Sequence, residues 1–444
     1  METAAAPGRS VLVTLLAVTA LGTVCNNVVT VALRDIAADL RTSLSSGVLA
    51  VSAFALVLAA AMPVMGWVGD RFGRVRTLVA AQAMLAASTA AAALAPSLGV
   101  LVACRGAQGL ACAAAPPCVM GLLASLYGPV RRHRVIGAWA AANGIGQALG
   151  PPLGGLVAGV LGWRAIFWCL APLSGLLVAA LALLVPADPP GRARLHWPGA
   201  IAFTTGTALV MSAVVFASGS ALPPVVLACL GVAGTGALAG FVLVSRRAAD
   251  AFIPPRLVVQ PRFLRSGVAA GVQMFCLGAT LVAMPLYATG ALGLSTQLTG
   301  LVVFVLPLTM AVLAGAVGLV SERTRPRWVL RAGLGVLATA EVGLGAYLGG
   351  QGTSIVAVTA LLVAVGTGVA LVQTTAAAGA TRSTAGQAGS ALGLFNSLRF
   401  GGAALGTAWA GLTYATMPPL GVFGGCAALA LLGLAVSFAG TDPA

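Results

Sequence analysis

The sequence predicts an all-α protein that crosses a membrane many times. Its 444 residues are 59% hydrophobic and only 7% charged. Charged residues make up about a quarter of an ordinary soluble domain, so this composition excludes that class. The apolar runs continue for about twenty residues, the length of a membrane-spanning helix, and they do not alternate as barrel strands would.

Fourteen apolar spans can be counted along the chain. The first starts at Val11 and continues past the length of a signal peptide without a clear cleavage site, so we treat it as a span. The spans cover residues 11–33, 46–68, 76–95, 98–126, 135–161, 165–185, 198–217, 222–244, 263–289, 298–320, 328–348, 354–377, 389–416 and 419–439.

The basic residues predict the orientation of these spans. All 24 are arginine; nineteen fall in one set of alternate loops and at the N-terminus, three (Arg34, Arg41 and Arg164) in the opposite set, and two within spans. By the positive-inside rule both termini lie in the cytoplasm, and the membrane is the cytoplasmic one. The loops therefore account for the net charge of +15, and we expect no nucleic-acid partner.

An internal repeat predicts two bundles. At an offset of 252 residues, a glycine followed by an acid–arginine pair recurs in equivalent loops, and four glycines of span five recur in span thirteen. Parallel repeats of this kind are typical of transporters built from two six-helix halves. We predict an N-terminal six-helix bundle (1–185), an inserted helical pair with a linker (186–262) and a C-terminal six-helix bundle (263–444).

The loop between spans two and three reads GWVGDRFGRVR from residue 66. Its glycines permit a tight turn, its aspartate can cap a helix end, and its arginines can bond carbonyls. Contacts made in one state and broken in another would form a latch; the alternative is a basic loop that only sets topology. The candidate gating residues are Gly66, Asp70, Arg71, Gly73 and Arg74, with Glu322 and Arg323 as a weaker copy.

Span five contains GAWAAANGIGQALGPPLGG over residues 137–155. Its glycines allow a helix to pack against bare backbone, and its prolines remove two backbone donors and favour a bend. We expect a surface that slides against the other bundle; the alternative is a tightly packed helix without a moving role. The residues concerned are Gly146, Gly150, Pro151, Gly154 and Gly155.

These two stretches resemble the signature loop and the antiporter motif of the major facilitator superfamily, in particular its fourteen-helix drug:proton antiporters. The resemblance covers nearly the whole chain. It implies two six-helix bundles plus two inserted helices, alternating access, a small-molecule substrate and protons as partners, and a monomer in the lipid bilayer.

Span four carries Arg105 and Gln108 in LVACRGAQGLACA. A charged side chain at the bilayer centre costs roughly 2.5–3.5 kcal/mol on insertion scales unless it is paired. The Arg–x–x–Gln–Gly pattern resembles the family's fourth-helix motif, which is linked there to proton transfer. Arg105 stays charged and can only tune an acid or hold an anion; the alternative is an arginine bonded to facing carbonyls.

Span one departs from the family pattern. The segment 28–36 resembles the first-helix signature of these antiporters, but Cys25 stands where that signature has an aspartate. Two other acids remain as candidate proton carriers: Asp35, near the outer end of span one, and Glu341, inside span eleven. The alternatives are a solvated interfacial charge for Asp35 and a structural group for Glu341.

Polar residues on the expected lining helices are candidates for the substrate cavity, although each alone is more often a helix–helix hydrogen bond. With Arg105 and no well-placed carboxylate, such a cavity favours neutral, zwitterionic or anionic amphiphiles. A metabolite exporter and a proton-independent uniporter on the same fold stay open. A membrane enzyme is not supported, because no nucleophile set, metal-ligand set or cofactor motif is evident. The cavity candidates are Asn26, Asn27, Gln108, Gln273 and Gln373.

Overall fold

The computed structural model describes residues 8–191, 195–219, 222–248, 251–290, 292–383 and 388–439, and these are helical with short connections. Thirteen helices are long and apolar enough to cross a membrane. A fourteenth, Gly389–Thr413, has 25 residues and a similar length, with Asn396 and Arg399 inside it. The all-α, fourteen-helix prediction is therefore confirmed.

The helices number seventeen in the described residues, because two predicted spans are each broken into two helices and a short helix, Pro255–Val258, lies in the linker. Span one contains a 3-10 turn at Thr30–Ala32, and span four changes helix at Ala114, just before two prolines. The helices are α1 Arg9–Asn27, α2 Leu33–Asp39, α3 Leu44–Phe72, α4 Arg74–Ala93, α5 Leu98–Ala113, α6 Ala115–Leu126, α7 Gly128–Leu161, α8 Trp163–Leu184, α9 Trp197–Gly219, α10 Pro224–Arg247, α11 Pro255–Val258, α12 Pro261–Gly290, α13 Thr296–Arg323, α14 Pro326–Gly349, α15 Ile355–Arg382, α16 Gly389–Thr413 and α17 Pro419–Val436.

Serine caps begin four of the long helices. The hydroxyl oxygens of Ser43, Ser97, Ser295 and Ser354 accept backbone N–H groups three residues further on, at the starts of α3, α5, α13 and α15. Such caps satisfy donors that an isolated helix end would leave unpaired. All four lie at the end of the bundle that holds Arg164, here called the Arg164 end; the opposite end, with the α3–α4 loop, is called the Asp70 end.

The packing follows the sequence repeat. Helix α3 packs against α16 and α7 packs against α13, so each contact joins the N-terminal to the C-terminal set of helices. Helix α6 packs on both α3 and α16, and α15 packs on both α13 and α7, as the repeat requires. Helix α9 also packs on α3 and α16, while α10 packs on α9.

The apolar core is divided in the same way. One cluster is confined to α12–α17, and a second is formed mainly by the helices before α9. The third, at the Asp70 end, contains residues from both sets, for example Trp139, Phe263 and Phe395. The two sets are therefore held together chiefly by burial of apolar surface at the Asp70 end.

Candidate functional site

The carboxylate of Asp70 joins the two sets of helices. It lies in the last turn of α3, where it pairs with Arg74 at 3.0 Å and accepts the backbone N–H of Gly389, the first residue of α16. The N-terminus of a helix carries partial positive charge, so an anion there is favourable. Breaking this contact would free the start of α16.

Two glycine contacts close the same end. A Cβ added at Gly66 would lie 3.0 Å from the nitrogen of Ser390 and nearer still to the Gly389 carbonyl. A Cβ added at Gly137 would lie 2.9 Å from the Cα of Gly318. The offset of 252 residues relates Gly66 to Gly318 and Gly137 to Gly389, so the two contacts are copies of one another.

The α3–α4 loop is braced by a residue that the sequence reasoning missed. The Asp188 carboxylate accepts the backbone N–H groups of Arg74 at 2.8 Å and Val75 at 2.9 Å, and so caps α4. Gly73 turns the chain here with a φ of 97°, a conformation that favours glycine. The available signal was a single acid placed directly after an apolar span, in a loop predicted to lie on the same side.

The linker that contains Asp188 makes a second attachment. The N–H of Gly191 donates to the Asp70 carbonyl at 3.0 Å, and the Arg71 guanidinium donates to the Gly191 carbonyl at 3.1 Å. The proposed second copy of this loop ends α13, but the side chains of Glu322 and Arg323 lie outside the described part of the structure.

Further contacts between the sets extend along α7 and α15. Arg132 donates to the Thr381 carbonyl at 3.3 Å, and His133 contacts Arg382 at 2.9 Å. Deeper in the bundle, the Ser397 hydroxyl donates to the Ala59 carbonyl at 2.7 Å. The Asp70 end is closed in this conformation.

The glycines of the antiporter-like stretch pack differently from our expectation. Cβ atoms added at Gly146 and Gly150 would meet α1 and its end, and one added at Gly154 would meet Val28 and Val31 just after it, all within the same set of helices and not in the other bundle. Gly155 faces open space. Helix α7 runs unbroken from Gly128 to Leu161 through Pro151 and Pro152. The expected sliding face against the other half was therefore wrong for these glycines, because their side of α7 is turned toward α1.

The counterpart glycines of α16 behave likewise. Cβ atoms added at Gly402 and Gly406 would meet the backbone of Gly271 and Phe275, both in α12. The residues of α7 and α16 that do contact the other set lie nearer the Asp70 end, at Gly137, Gly144 and Gly389 among others.

Arg105 is fully enclosed and bonded to backbone. Its side chain is 1% exposed, and it donates to the carbonyls of Ala50 at 3.1 Å and Cys25 at 3.0 Å. It also donates to the Gln108 side-chain carbonyl at 2.8 Å and lies over the ring of Phe54 at 4.3 Å. The arginine thus reaches position 25 through its backbone, because Cys25 offers no carboxylate there.

Arg399, in α16, is a second enclosed arginine, 1% exposed. It donates to the side chain of Asn396 at 2.8 Å and lies over Trp139 of α7 at 5.0 Å. Its Nε and Nη2 groups have no hydrogen-bond partner among the described residues. Arg399 is one of the two arginines counted within spans, and its place three residues after an asparagine was the signal available in the sequence.

One of the polar cavity candidates lines a small space bounded mainly by α1, α6 and α7, with single residues of α3, α5 and α16. Asn26 lines a cavity of about 20 Å³ together with Asn143. Asn27 donates to the Thr23 carbonyl at 3.0 Å, and the Thr23 hydroxyl donates to Asn143 at 3.2 Å. A cavity of this volume holds about one water molecule, so a substrate would need the helices to move apart.

The other candidates lie in α12 and α15. Gln273 is completely buried, and neither the oxygen nor the nitrogen of its side-chain amide is hydrogen-bonded to a described residue. Gln373 donates to the Ala140 carbonyl of α7 at 3.4 Å. The side-chain NH2 group of Gln108 donates to the Thr89 hydroxyl at 3.0 Å, and its side-chain oxygen accepts a hydrogen bond from Arg105.

The two candidate proton carriers occupy very different places. Asp35 is exposed in the first turn of α2. Glu341 is completely buried in α14, where one oxygen accepts the Thr280 hydroxyl at 2.9 Å and the other has no partner among the described residues. The sulfur atoms of Cys276 and Cys426 and a Glu341 oxygen lie within 4.8 Å of one another. This cluster joins α12, α14 and α17, none of which supplies a residue to the small cavity described above.

The comparisons with known proteins agree with this architecture. Residues 13–407 match the model of the Major Facilitator Superfamily. The human organic anion transporter MFSD10 (TETRAN) superimposes with a TM-score of 0.72 over 97% of this chain and 99% of that one, at 18% sequence identity. At this identity the likeness shows the fold alone.

Several curated relatives are resistance proteins. The puromycin resistance protein pur8 of Streptomyces alboniger is 31% identical, covering 89% of this chain and 80% of that protein. The tetracenomycin C resistance and export protein of Streptomyces glaucescens is 29% identical, covering 88% and 73%. An uncharacterized transporter of Mycobacterium tuberculosis, Rv1250, is 28% identical over 86% of this chain, which spans 66% of that protein's length. This chain is a multi-pass membrane transporter, not an enzyme, and belongs to the Major Facilitator Superfamily.

Proposed function

We propose that this protein exports amphiphilic small molecules across the cytoplasmic membrane in exchange for protons, by alternating access, as a monomer. The observation that carries the proposal is the paired closure at the Asp70 end, where Asp70 holds the start of α16 and two related glycine contacts join the helix sets. A closure built twice, from copies of one contact, suits two bundles that rock about a midplane site.

The arginine distribution supports the orientation. The loops of the Asp70 end belong to the set that holds nineteen of the 24 arginines, which puts this end in the cytoplasm. We therefore take the structure as a state closed toward the cytoplasm. Inward movement of each proton would contribute about 2.3 kcal/mol per 100 mV of membrane potential.

The substrate class follows from charge. Arg105 and Arg399 are buried, and Glu341 is the one acid that is buried among the described residues, on helices that do not line the small cavity. A pathway with enclosed cations favours neutral, zwitterionic or anionic amphiphiles. The relatives named for resistance to puromycin and for export of tetracenomycin C support export of antibiotic-like molecules.

The test of antiport uses everted vesicles, a pH-sensitive dye and a panel of amphiphilic compounds. We expect substrate addition to release protons from the lumen of wild-type vesicles. Loss of this release in Glu341→Gln, with substrate binding retained, would assign the carrier to Glu341; loss in Asp35→Asn would assign it to Asp35. Substrate movement without proton movement would contradict antiport and leave a uniporter or a metabolite exporter on the same fold.

The test of the closure uses glycine substitutions. Gly66→Ala places a Cβ against the Gly389 carbonyl, so we expect transport to fall at least tenfold, which is about 1.4 kcal/mol. Gly155→Ala is the matched control, because a Cβ there meets nothing within 4 Å. Amide hydrogen exchange at the start of α16 should rise in Gly66→Ala and stay unchanged in the control. Equal transport by both variants would contradict the role of the closure.

A further inference from the structure

Two thiols and a carboxyl group meet in the interior of the C-terminal helix set. Cys276 lies on α12, Glu341 on α14 and Cys426 on α17, and the two sulfur atoms and a Glu341 oxygen lie within 4.8 Å of one another. All three side chains are completely buried. The apolar cluster that contains both cysteines is confined to α12–α17. The closure at the Asp70 end and the small cavity use none of these three residues.

The hydrogen bonds within this cluster leave one acceptor without a donor. The Thr280 hydroxyl donates to one Glu341 oxygen at 2.9 Å, and the other oxygen has no partner among the described residues. The thiols do not supply the missing donor, because Cys276 donates to the Cys426 carbonyl at 3.5 Å and Cys426 donates to the Val422 carbonyl at 3.7 Å. A completely buried carboxyl oxygen without a partner is unfavourable. A cation bound beside it would satisfy that oxygen.

The three ligand atoms indicate the kind of cation. Sulfur ligands select zinc and copper(I) over magnesium and calcium, which prefer oxygen. A carboxylate oxygen beside the sulfurs favours zinc, which binds both kinds of donor, over the softer copper(I). Two sulfurs that bind one tetrahedral zinc ion lie roughly 3.8 Å apart. Atoms that already lie within 4.8 Å of one another need to close by about 1 Å or less.

We propose that Cys276, Glu341 and Cys426 bind one Zn²⁺ ion. A divalent ion that displaces two protons from these groups leaves the charge of the cluster unchanged, which surroundings of low dielectric favour. A thiol that keeps its proton can still donate it to a backbone carbonyl, as both thiols do here. The Thr280 hydroxyl holds the carboxylate in position, as hydrogen-bond partners of metal ligands commonly do.

A zinc ion at this point would link three helices that are far apart in the sequence. Its binding energy would add to the stability of the C-terminal set, because the ligands come together only in the folded chain. Glu341 would then serve as a ligand, and the carrier of the proposed antiport would be another acid. Zinc content is measured without substrate or a proton gradient, so failure of this proposal and failure of antiport give different results.

The test measures the zinc that copurifies with the protein from cells grown with added Zn²⁺, after removal of any affinity tag. Cys276→Ser/Cys426→Ser removes both sulfur ligands. Cys169→Ser/Cys229→Ser is the matched control, because these two cysteines are exposed and lie on α8 and α10. By elemental mass spectrometry, we expect about one zinc ion per chain in wild type and control, and about tenfold less in the cluster variant.

X-ray absorption at the zinc edge identifies the ligands. The wild-type spectrum should show two sulfur neighbours at about 2.3 Å and an oxygen neighbour at about 2.0 Å. Glu341→Gln should keep both sulfur neighbours but release zinc to a chelator faster than wild type does. A spectrum with nitrogen and oxygen neighbours alone would contradict the assignment.

The other outcomes also decide the question. Absence of zinc from wild type would overturn the proposal, and equal zinc content in the cluster variant and the control would place the ion elsewhere. A zinc-free wild-type protein whose mass rises by two hydrogens on reduction would show a disulfide between Cys276 and Cys426 instead. If the double variant does not fold, Cys426→Ser is compared with Cys229→Ser. Only Cys426→Ser should lose one sulfur neighbour, and an unchanged spectrum would count against the site.

Discussion

Arg105 and Arg399 are buried to the same extent but are held in different ways. Each donates to a side-chain amide three residues away and stacks on an aromatic ring. Arg105 adds two bonds to backbone carbonyls of α1 and α3 and leaves one nitrogen, Nη2, without a partner among the described residues, whereas Arg399 leaves two, Nε and Nη2. Arg105 therefore links helices of one set through its bonds to α1 and α3. Arg399 lies against Trp139 of the other set and has two hydrogen-bond donors unused among the described residues.

The difference suggests two roles for one residue type. A buried cation with most of its donors used contributes to folding, whereas one with more unused donors costs stability and remains available to a ligand or to water. Functional sites commonly retain such locally unfavourable groups.

Stability should separate the two arginines most strongly. Arg105→Met removes three charge-assisted hydrogen bonds, whereas Arg399→Met removes one and relieves a poorly solvated charge. We expect Arg105→Met to be less stable than Arg399→Met by about 2 kcal/mol or more. Thermal unfolding in detergent measures the difference. Equal unfolding temperatures would remove the basis of the comparison.

Transport of anionic substrates should depend more on Arg399 than on Arg105. If Arg399 binds an anionic group of the substrate, Arg399→Met should weaken transport of anionic amphiphiles about tenfold, or about 1.4 kcal/mol, through a raised KM. Transport of a neutral amphiphile by the same variant is the control and should change little. A uniform fall for both compounds would indicate a structural role for Arg399.

A carboxylate at position 25 should change the character of Arg105. Cys25→Asp introduces an acid whose backbone already accepts Arg105 at 3.0 Å, and Cys25→Asn is the nearly isosteric control without charge. We expect only the aspartate variant to accept cationic amphiphiles, with several-fold higher efflux than wild type. The pair should be compared in the same vesicle assay. Identical efflux by both variants would mean that position 25 does not set charge selectivity.

The ring under Arg399 should have the smallest effect. Trp139→Leu keeps the position apolar, although with a smaller side chain, and removes the cation–π contact in which the Arg399 guanidinium carbon lies 5.0 Å from the ring centroid. We expect a two- to fivefold increase in KM for anionic substrates, in the same sense as Arg399→Met and weaker. If Trp139→Leu raises the KM of the Arg399→Met variant as much as it raises the KM of wild type, the two residues act independently.

Much of the fold could be predicted from the sequence, because membrane spans depend on local composition. The ends of α7, α12 and α13 agree with the predicted spans to within a few residues at the C-terminal side. The Asp70 loop and the buried position of Arg105 were also recognisable, since charge inside or beside a span is rare.

The features that could not be predicted depend on how a helix is rotated about its axis and on contacts between residues far apart in the sequence. Which helix Gly150 faces is decided by the rotation of α7 about its axis, and a glycine pattern does not give that angle. Asp188 caps α4 from more than a hundred residues away, and Cys276, Glu341 and Cys426 meet from three helices. Such contacts arise only when the chain has folded.

Helix α9 makes the two sides of the molecule unequal. The repeat provides one helix to line each contact between the sets, and α9 adds a further layer over α3 and α16 only. An amphiphile that dissolves first in the bilayer would meet α10 and then α9 before it reached the contact between α3 and α16. The contact between α7 and α13 has no such covering layer among the described helices, so under the proposed function we expect an amphiphile from the lipid to approach on that side.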